Sequence, residues 1–403
     1  MMKKVVVVCD AHIFVTTAGV HWCTSIYGYS FFQRFMNVFD EVHVVARSKR
    51  QELPQDGKYL VVDGPRLTFH PVYFFQGPGQ LFKHLPAVLK SLEGFVPNDA
   101  DAVVYRMPST TAQLAFLKRP KGKGEKPSAI EVVYNYGDEL KDSMLSKRRK
   151  LISLANDRFL KWACAHKDTN GVSYVTENIL QDRYPSYARL HCLTNEHFES
   201  YYSTIQFKFR SNIAPKCFAG KKKWTISNVC VHIQNEARGH RTMIESLAIL
   251  RERGVDIEII FVGDGPYISV FRKLASELNV EEYVHFAGLL PSSDDVFNVL
   301  CDSDLFVYPT HFAGLPRVLI EAMGAGLPCV SSPVAGIPEI VLKSNLVKPD
   351  DPAALAALIL KMISDPEKLA DESRRNIDVA RQYDNALLQE RRDVFYGKLA
   401  NLA

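Results

Sequence analysis

Short apolar runs alternate with longer amphipathic stretches along almost the whole chain. In the first half the runs are Val5–Cys9, Val42–Ala46, Ala102–Tyr105, Ile130–Tyr134 and Ser173–Val175. In the second they are Ile226–His232, Ile257–Val262, Val284–Ala287, Leu305–Tyr308 and Cys329–Ser332. Short apolar runs of this kind, bounded by turn residues, read as buried strands. Between them the period is helical, most visibly over the long amphipathic segment from Asp142 to His166. Strand and helix alternating in this way predict an α/β chain of parallel sheets with covering helices.

The alternation breaks once. From Tyr201 to Lys223 there is no period, Pro215 interrupts, and Gly220-Lys221-Lys222-Lys223 ends the stretch. A linker at 206–223 is predicted, between a first domain over 1–205 and a second over 224–382. The polar-rich helical pattern from Asn385 to Leu402 follows a complete second series, so the segment 383–403 is expected to cross back to the first domain. A chain of 403 residues suits two hydrophobic cores better than one.

Composition narrows the class. With 47% apolar and 23% charged residues the chain is globular rather than disordered. Met-Met-Lys-Lys followed by Val5–Cys9 imitates a signal peptide, but the apolar run is too short and stops at Asp10. No run reaches the ~18 apolar residues of a membrane span. The 8 cysteines show neither C-x-x-C nor zinc-ligand spacing, so a reduced, cytoplasmic protein is expected. Net charge is only +4, yet basic residues cluster at 118–126 and 147–150. They fit a solvated loop and helix face, or a patch for anionic lipid headgroups or a phosphorylated acceptor. Nucleic acid is disfavoured because no aromatics interleave with the charge. A nicotinamide dehydrogenase is disfavoured because neither first strand leads into G-x-G-x-x-G.

Residues 303–340 carry the chemistry. The strand Leu305–Tyr308 ends at Pro309, a loop follows, and Gly314-Leu315-Pro316 opens a helix expected to run to Ala325. Proline is tolerated in a first helical turn, where its missing N–H has no partner to lose. Gly314 lets backbone approach a ligand, and the free N–H groups of the helix start favour an anion such as phosphate. Arg317 and Glu321 stand four apart on one helix face. A mid-helix carboxylate there can accept from two adjacent hydroxyls, as in a ribose diol. Gly336-Ile337-Pro338-Glu339 repeats the glycine–proline device. His311 is a polar side chain in the same loop. Asp302-Ser303-Asp304 spells D-x-D but leads into an apolar strand, so it reads as structural and no metal site is expected.

This segment resembles the donor-site region of the group 1, or family 4, glycosyltransferases. Their hallmark is two glutamates separated by seven residues around a glycine–proline helix start. Gly314-Leu315-Pro316 and Glu321-Ala322-Met323-Gly324-Ala325-Gly326-Leu327-Pro328 match it, while the first glutamate falls on Ala313. Phe261–Pro266, Val284–Gly288 with Pro291, and Leu346–Pro352 resemble further parts of the same domain. The resemblance implies a GT-B architecture: two Rossmann-like domains facing a cleft, with a C-terminal helix returning to the first. It implies retaining transfer of a sugar from a nucleoside-diphosphate sugar to an acceptor hydroxyl, in cell-surface polysaccharide or glycoconjugate assembly. No cofactor beyond the sugar nucleotide is implied. The acceptor would be a glycan or a lipid-linked one, reached from the cytoplasmic face of an anionic membrane.

Glu321 would then hold the ribose, with Gly314, Leu315, Pro316, Ala313, His311 and Gly263 completing the donor site. Arg238 stands where the family has a lysine on the diphosphate, and Ile233 stands at its other basic position. In the first domain Gly28 and Tyr29 occupy the place of the family's glycine-rich loop near the acceptor. Arg106 and Asp138, at strand ends, are expected to join Arg238 in catalysis. Ala313 and Ile233 leave open the alternative of a catalytically inactive protein of this fold that binds a nucleotide or glycan.

Overall fold

The computed structural model describes residues 2–54, 57, 59–120, 122–141, 146–311 and 314–403. The chain divides into two compact units. The first gathers Met1–Tyr136, Leu151–Tyr202 and Gln389–Ala403; the second gathers Gly137–Lys150 and Ser203–Leu388.

The strands of the first unit are β1 (Lys4–Val15), β2 (His21–Cys23), β3 (Glu41–Arg50), β4 (Leu60–Val61), β5 (Leu67–Tyr73), β6 (Ala102–Met107), β7 (Ser128–Val132), β8 (Gly171–Tyr174) and β9 (Phe198–Tyr201). Seven pair in parallel in the order β5-β3-β1-β6-β7-β8-β9, and β2 and β4 attach antiparallel to the far end of β1. Val5 to Cys9 are fully buried, as a central parallel strand covered on both faces requires. The sequence pattern misses β5 because Pro71 and its exposed alternate residues mark an edge strand, where a missing N–H costs no ladder bond. The expected helix from Asp142 is described over Lys147–Cys164.

The last helix spans Asn385–Ala400, and its part in the first unit sets Tyr396 into the core, where its hydroxyl donates to Glu131. Arg34 and Arg106 meet the same carboxylate at 2.7 and 2.6 Å, and Tyr202 donates to it at 3.1 Å. Burial alone would push Glu131 up, but the two guanidinium groups hold it down to about 2.

The second unit holds β10 (Trp224–His232), β11 (Ile257–Asp264), β12 (Val284–Gly288), β13 (Leu305–Tyr308) and β14 (Cys329–Ser331), all parallel, in the order β12-β11-β10-β13-β14. The segment predicted as the linker packs here: Phe218 stacks on Trp224 at 5.9 Å inside the core. The strand order reverses between β10 and β13, and ligands of open parallel sheets bind at the carboxyl ends of strands at such a point. Among the described residues no helix is long and apolar enough to cross a membrane.

Candidate active site

Two loops leave the reversal point, one after β10 and one after β13, and they are fastened together. Gly239 lies in the left-handed region at φ 78°, and a Cβ there would sit 2.4 Å from the carbonyl oxygen of Pro309. Only glycine permits that approach. The Ala237 carbonyl accepts from the His311 N–H at 3.0 Å and from the Thr310 hydroxyl at 3.1 Å. The guanidinium of Arg238 donates to Thr310 Oγ1 at 3.3 Å. Arg238 is thereby carried at the carboxyl ends of both strands. Two residues on, His240 is fully buried between Phe261 and Phe271. Burial first, and Arg238 second, push its imidazole down to about 4, so at neutral pH the positive charge belongs to Arg238 alone.

The helix after β13 runs over Arg317–Gly324, one residue later than the sequence suggests. Pro316 is its extended N-cap residue rather than part of its first turn, and no side chain caps it. Leu319 N–H donates to the Pro316 carbonyl at 3.2 Å, which leaves the N–H groups of Arg317 and Val318 for an anion. Arg317, Val318 and Glu321 project from this helix into a cavity of about 680 Å³. Val229 and Val231 of β10 and Phe297 of the helix Ser293–Asp302 give it apolar walls. Lys208 and Arg210 add cationic ones.

Glu321 is the unusual member. It is half-buried, and burial raises its carboxyl above the ordinary value while Arg317 opposes the shift. The pairing that the four-residue spacing suggests does not form: among the described residues no hydrogen bond or ion pair holds this carboxylate. A desolvated, unpaired acceptor facing a cavity beside an arginine suits a neutral diol attached to an anion.

The remaining expected residues fall in different places. The Gly314 carbonyl accepts from Gly336 N–H at 3.0 Å, joining the two glycine–proline turns, and Leu315 is buried behind them. His311 Nε2 lies 2.9 Å from Asp350, so its ring is anchored to the next loop. Gly263 serves packing: at φ 138° a Cβ would stand 1.8 Å from the Cys230 carbonyl oxygen, so it allows β11 to close on β10. Ala313 and the side chain of Asp138 lie outside the described residues. Arg106 is buried in the ion network of Glu131 and also donates to Tyr27, which commits it to the core of the first unit. Gly28 precedes the short helix at Tyr29, and Tyr29 donates to the Pro65 carbonyl at 2.9 Å, fixing that turn against its neighbour loop. Asp304 accepts from Thr225 N–H and pairs with Lys221 at 2.6 Å. It stands at the amino end of β13, opposite to the site. Sequence reasoning missed the cavity walls, because Val229, Phe297 and Arg210 sit in three separate segments with no motif of their own.

Comparison with known proteins bears on this arrangement. Residues 226–365 match the family described as glycosyl transferases group 1. The chain is 27% identical to protein CapJ of Staphylococcus aureus over 93% of its own length and 91% of that protein. It is 31% identical to the amylovoran biosynthesis glycosyltransferase AmsK of Erwinia amylovora, over 32% of this chain and 33% of that one. In structure it is similar to HepE of Anabaena in complex with UDP, with a TM-score of 0.63 and 16% identity, covering 96% of this chain and 98% of that one.

Proposed function

We propose that the chain, of GT-B fold, is a group 1 glycosyltransferase that moves a sugar, with retention, from a nucleoside-diphosphate sugar to an acceptor hydroxyl. The observation that carries this reading is the unpaired Glu321 carboxylate facing the cavity beside Arg317. Glu321 accepts from the ribose hydroxyls, and the apolar walls from Val229, Val231 and Phe297 take the base. The diphosphate meets the uncapped start of the helix Arg317–Gly324 and Arg238.

Bond breaking leaves negative charge on the departing diphosphate. The guanidinium of Arg238, held by Thr310, and the helix N–H groups stabilise that charge without rearranging. Placing the acceptor hydroxyl on the face that the diphosphate leaves gives retention; the departing diphosphate takes the hydroxyl proton as the new C–O bond forms, and orientation rather than covalent work by the protein lowers the barrier. UDP in the similar HepE structure supports a nucleoside-diphosphate donor, and the similarity to AmsK supports polysaccharide biosynthesis. The acceptor is then a growing glycan or its lipid-linked precursor.

Nucleotide release measured over a panel of nucleotide sugars, with the anomeric configuration of the product read by NMR, tests the reading. Release that depends on an added glycan or lipid-linked acceptor, with an unchanged anomer, is the expected result. An inverted product, or no release with any donor, overturns it.

A further inference from the structure

The cavity holds a second carboxylate that ribose binding does not use. Asp294, in the first turn of the helix Ser293–Asp302, lines it together with Arg210, and the two form an ion pair. The Arg210 guanidinium also lies 4.0 Å over the ring of Phe297, itself a cavity wall. The stack fixes the guanidinium, and the guanidinium fixes Asp294 next to it. The side chains are 36% and 78% exposed, so the pair stands at the cavity rim, open to a ligand. The helix does not need Asp294 for its start: Ser292 and Asp295 form the capping box.

A fixed guanidinium beside a carboxylate presents donors next to acceptors. The carboxylate has lone pairs left on both oxygens after one bond to Arg210. Each nucleobase edge can be set against this order. Guanine carries an acceptor, O6, beside two donors, N1–H and N2–H. The guanidinium serves O6 while the carboxylate takes both N–H groups. Uracil carries acceptor, donor, acceptor, so one carboxylate oxygen faces a carbonyl. Adenine and cytosine place a donor where the guanidinium stands and a bare ring nitrogen where the carboxylate stands. Only guanine is satisfied throughout.

We infer that the paired Arg210 and Asp294 select guanine, which makes the donor a guanosine-diphosphate sugar. This rests on the reading of the cavity as the nucleoside site. A site built to hydrogen-bond a base edge rejects an analogue that leaves its polar groups unpaired.

The test is calorimetric titration of the full chain with GDP, UDP, ADP and xanthosine diphosphate. GDP is expected to bind tighter than UDP or ADP by about tenfold or more, the scale of one charge-assisted hydrogen bond. Asp294→Asn exchanges one acceptor for a donor. Its GDP affinity should fall by about tenfold or more, while xanthosine diphosphate, whose second carbonyl replaces the N2 amino group, should bind it better than the wild type. Gain of a new ligand is a result that partial unfolding does not produce. UDP or ADP binding as tightly as GDP, or an Asp294→Asn variant with unchanged base preference, overturns the guanine assignment and leaves the nucleoside site standing. Failure of all four diphosphates to bind overturns both.

Discussion

Replacing Glu321 by glutamine removes the charge at the centre of the proposed donor site while keeping its volume. In the bound state the carboxylate accepts two hydrogen bonds from adjacent ribose hydroxyls; glutamine keeps one acceptor and turns an amide N–H toward the other hydroxyl. Hydrogen bonds to a charged group contribute about 1.5–3 kcal/mol, and loss of one such increment weakens binding about 10- to 150-fold. The free protein responds in the opposite sense. Burial raises the Glu321 carboxyl, so ionising it costs the folded state. A raised folded value stabilises below the unfolded value and is lost as pH rises through the folded one. The wild type therefore carries a penalty at neutral pH that Glu321→Gln lacks, and the Tm of the free variant should equal or exceed that of the wild type. Nucleotide affinity has its own pH signature. Ribose recognition needs the ionised carboxylate, so wild-type affinity should begin to fall while pH is still above the ordinary carboxylate value of 4.5, and the variant should not follow. Calorimetric titration with a nucleoside diphosphate across pH, paired with thermal unfolding of the free proteins, measures all three. Unchanged affinity at neutral pH would refute the ribose role. A weakened affinity with a lowered free Tm would show that Glu321 supports the fold instead.

Three further outcomes follow from other parts of the molecule. Glu131→Gln leaves Arg34 and Arg106 buried without their carboxylate and should cost about 3–5 kcal/mol in denaturant unfolding. Because the folded value of Glu131 is depressed to about 2, its stabilisation is present above the unfolded value and lost as pH falls through about 2; the variant should lack that acid-side loss. Transfer should persist in excess EDTA, since Asp304 is tied to Thr225 and Lys221 at the wrong end of its strand; an absolute need for magnesium or manganese would contradict this. Neutralising Lys147, Arg148, Arg149 and Lys150 should reduce sedimentation with anionic liposomes at low salt, at about 1 kcal/mol per cation near the surface, and equal binding by both proteins would reject a membrane role for that cluster.

The parts of the fold that repeat a local rule were legible. Buried parallel strands announce themselves as apolar runs, and all the central ones, from Val5–Cys9 to Leu305–Tyr308, stand where the pattern puts them. The edge strand Leu67–Tyr73 was not legible, because one exposed side and Pro71 erase the apolar signal. At the site, Glu321 and Arg238 were reachable from motif spacing. Arg106 was misread, since a strand-end arginine looks the same in sequence whether it faces a ligand or a buried carboxylate. Its partner Glu131 lies in the next strand of the sheet, aligned directly with it, and register of that kind is set by the fold. Gly263 is ambiguous for a related reason: a glycine needed for close approach of two strands and one needed for close approach of a ligand carry the same letter.

The contrast between Glu131, Glu372 and Glu321 explains why a shifted pKa alone does not find a site. Glu131 is depressed because four side chains of the first unit bond or pair with it. Glu372 is raised by burial, as Glu321 is, yet it accepts from Asn345 at 2.7 Å and from the Cys329 N–H at 3.1 Å. Its lone pairs are used inside the protein, and it ties β14 to the helix Pro366–Arg381. Glu321 shares the direction of the shift and has no such partners among the described residues, while a cavity stands in front of it. A carboxylate left desolvated and unpaired lowers the stability of the free protein. Among the described residues no hydrogen bond or ion pair inside the protein uses the charge, so folding gives no reason for it. A ligand with two hydroxyls to donate does, because only then is the cost of desolvation offset by bonds.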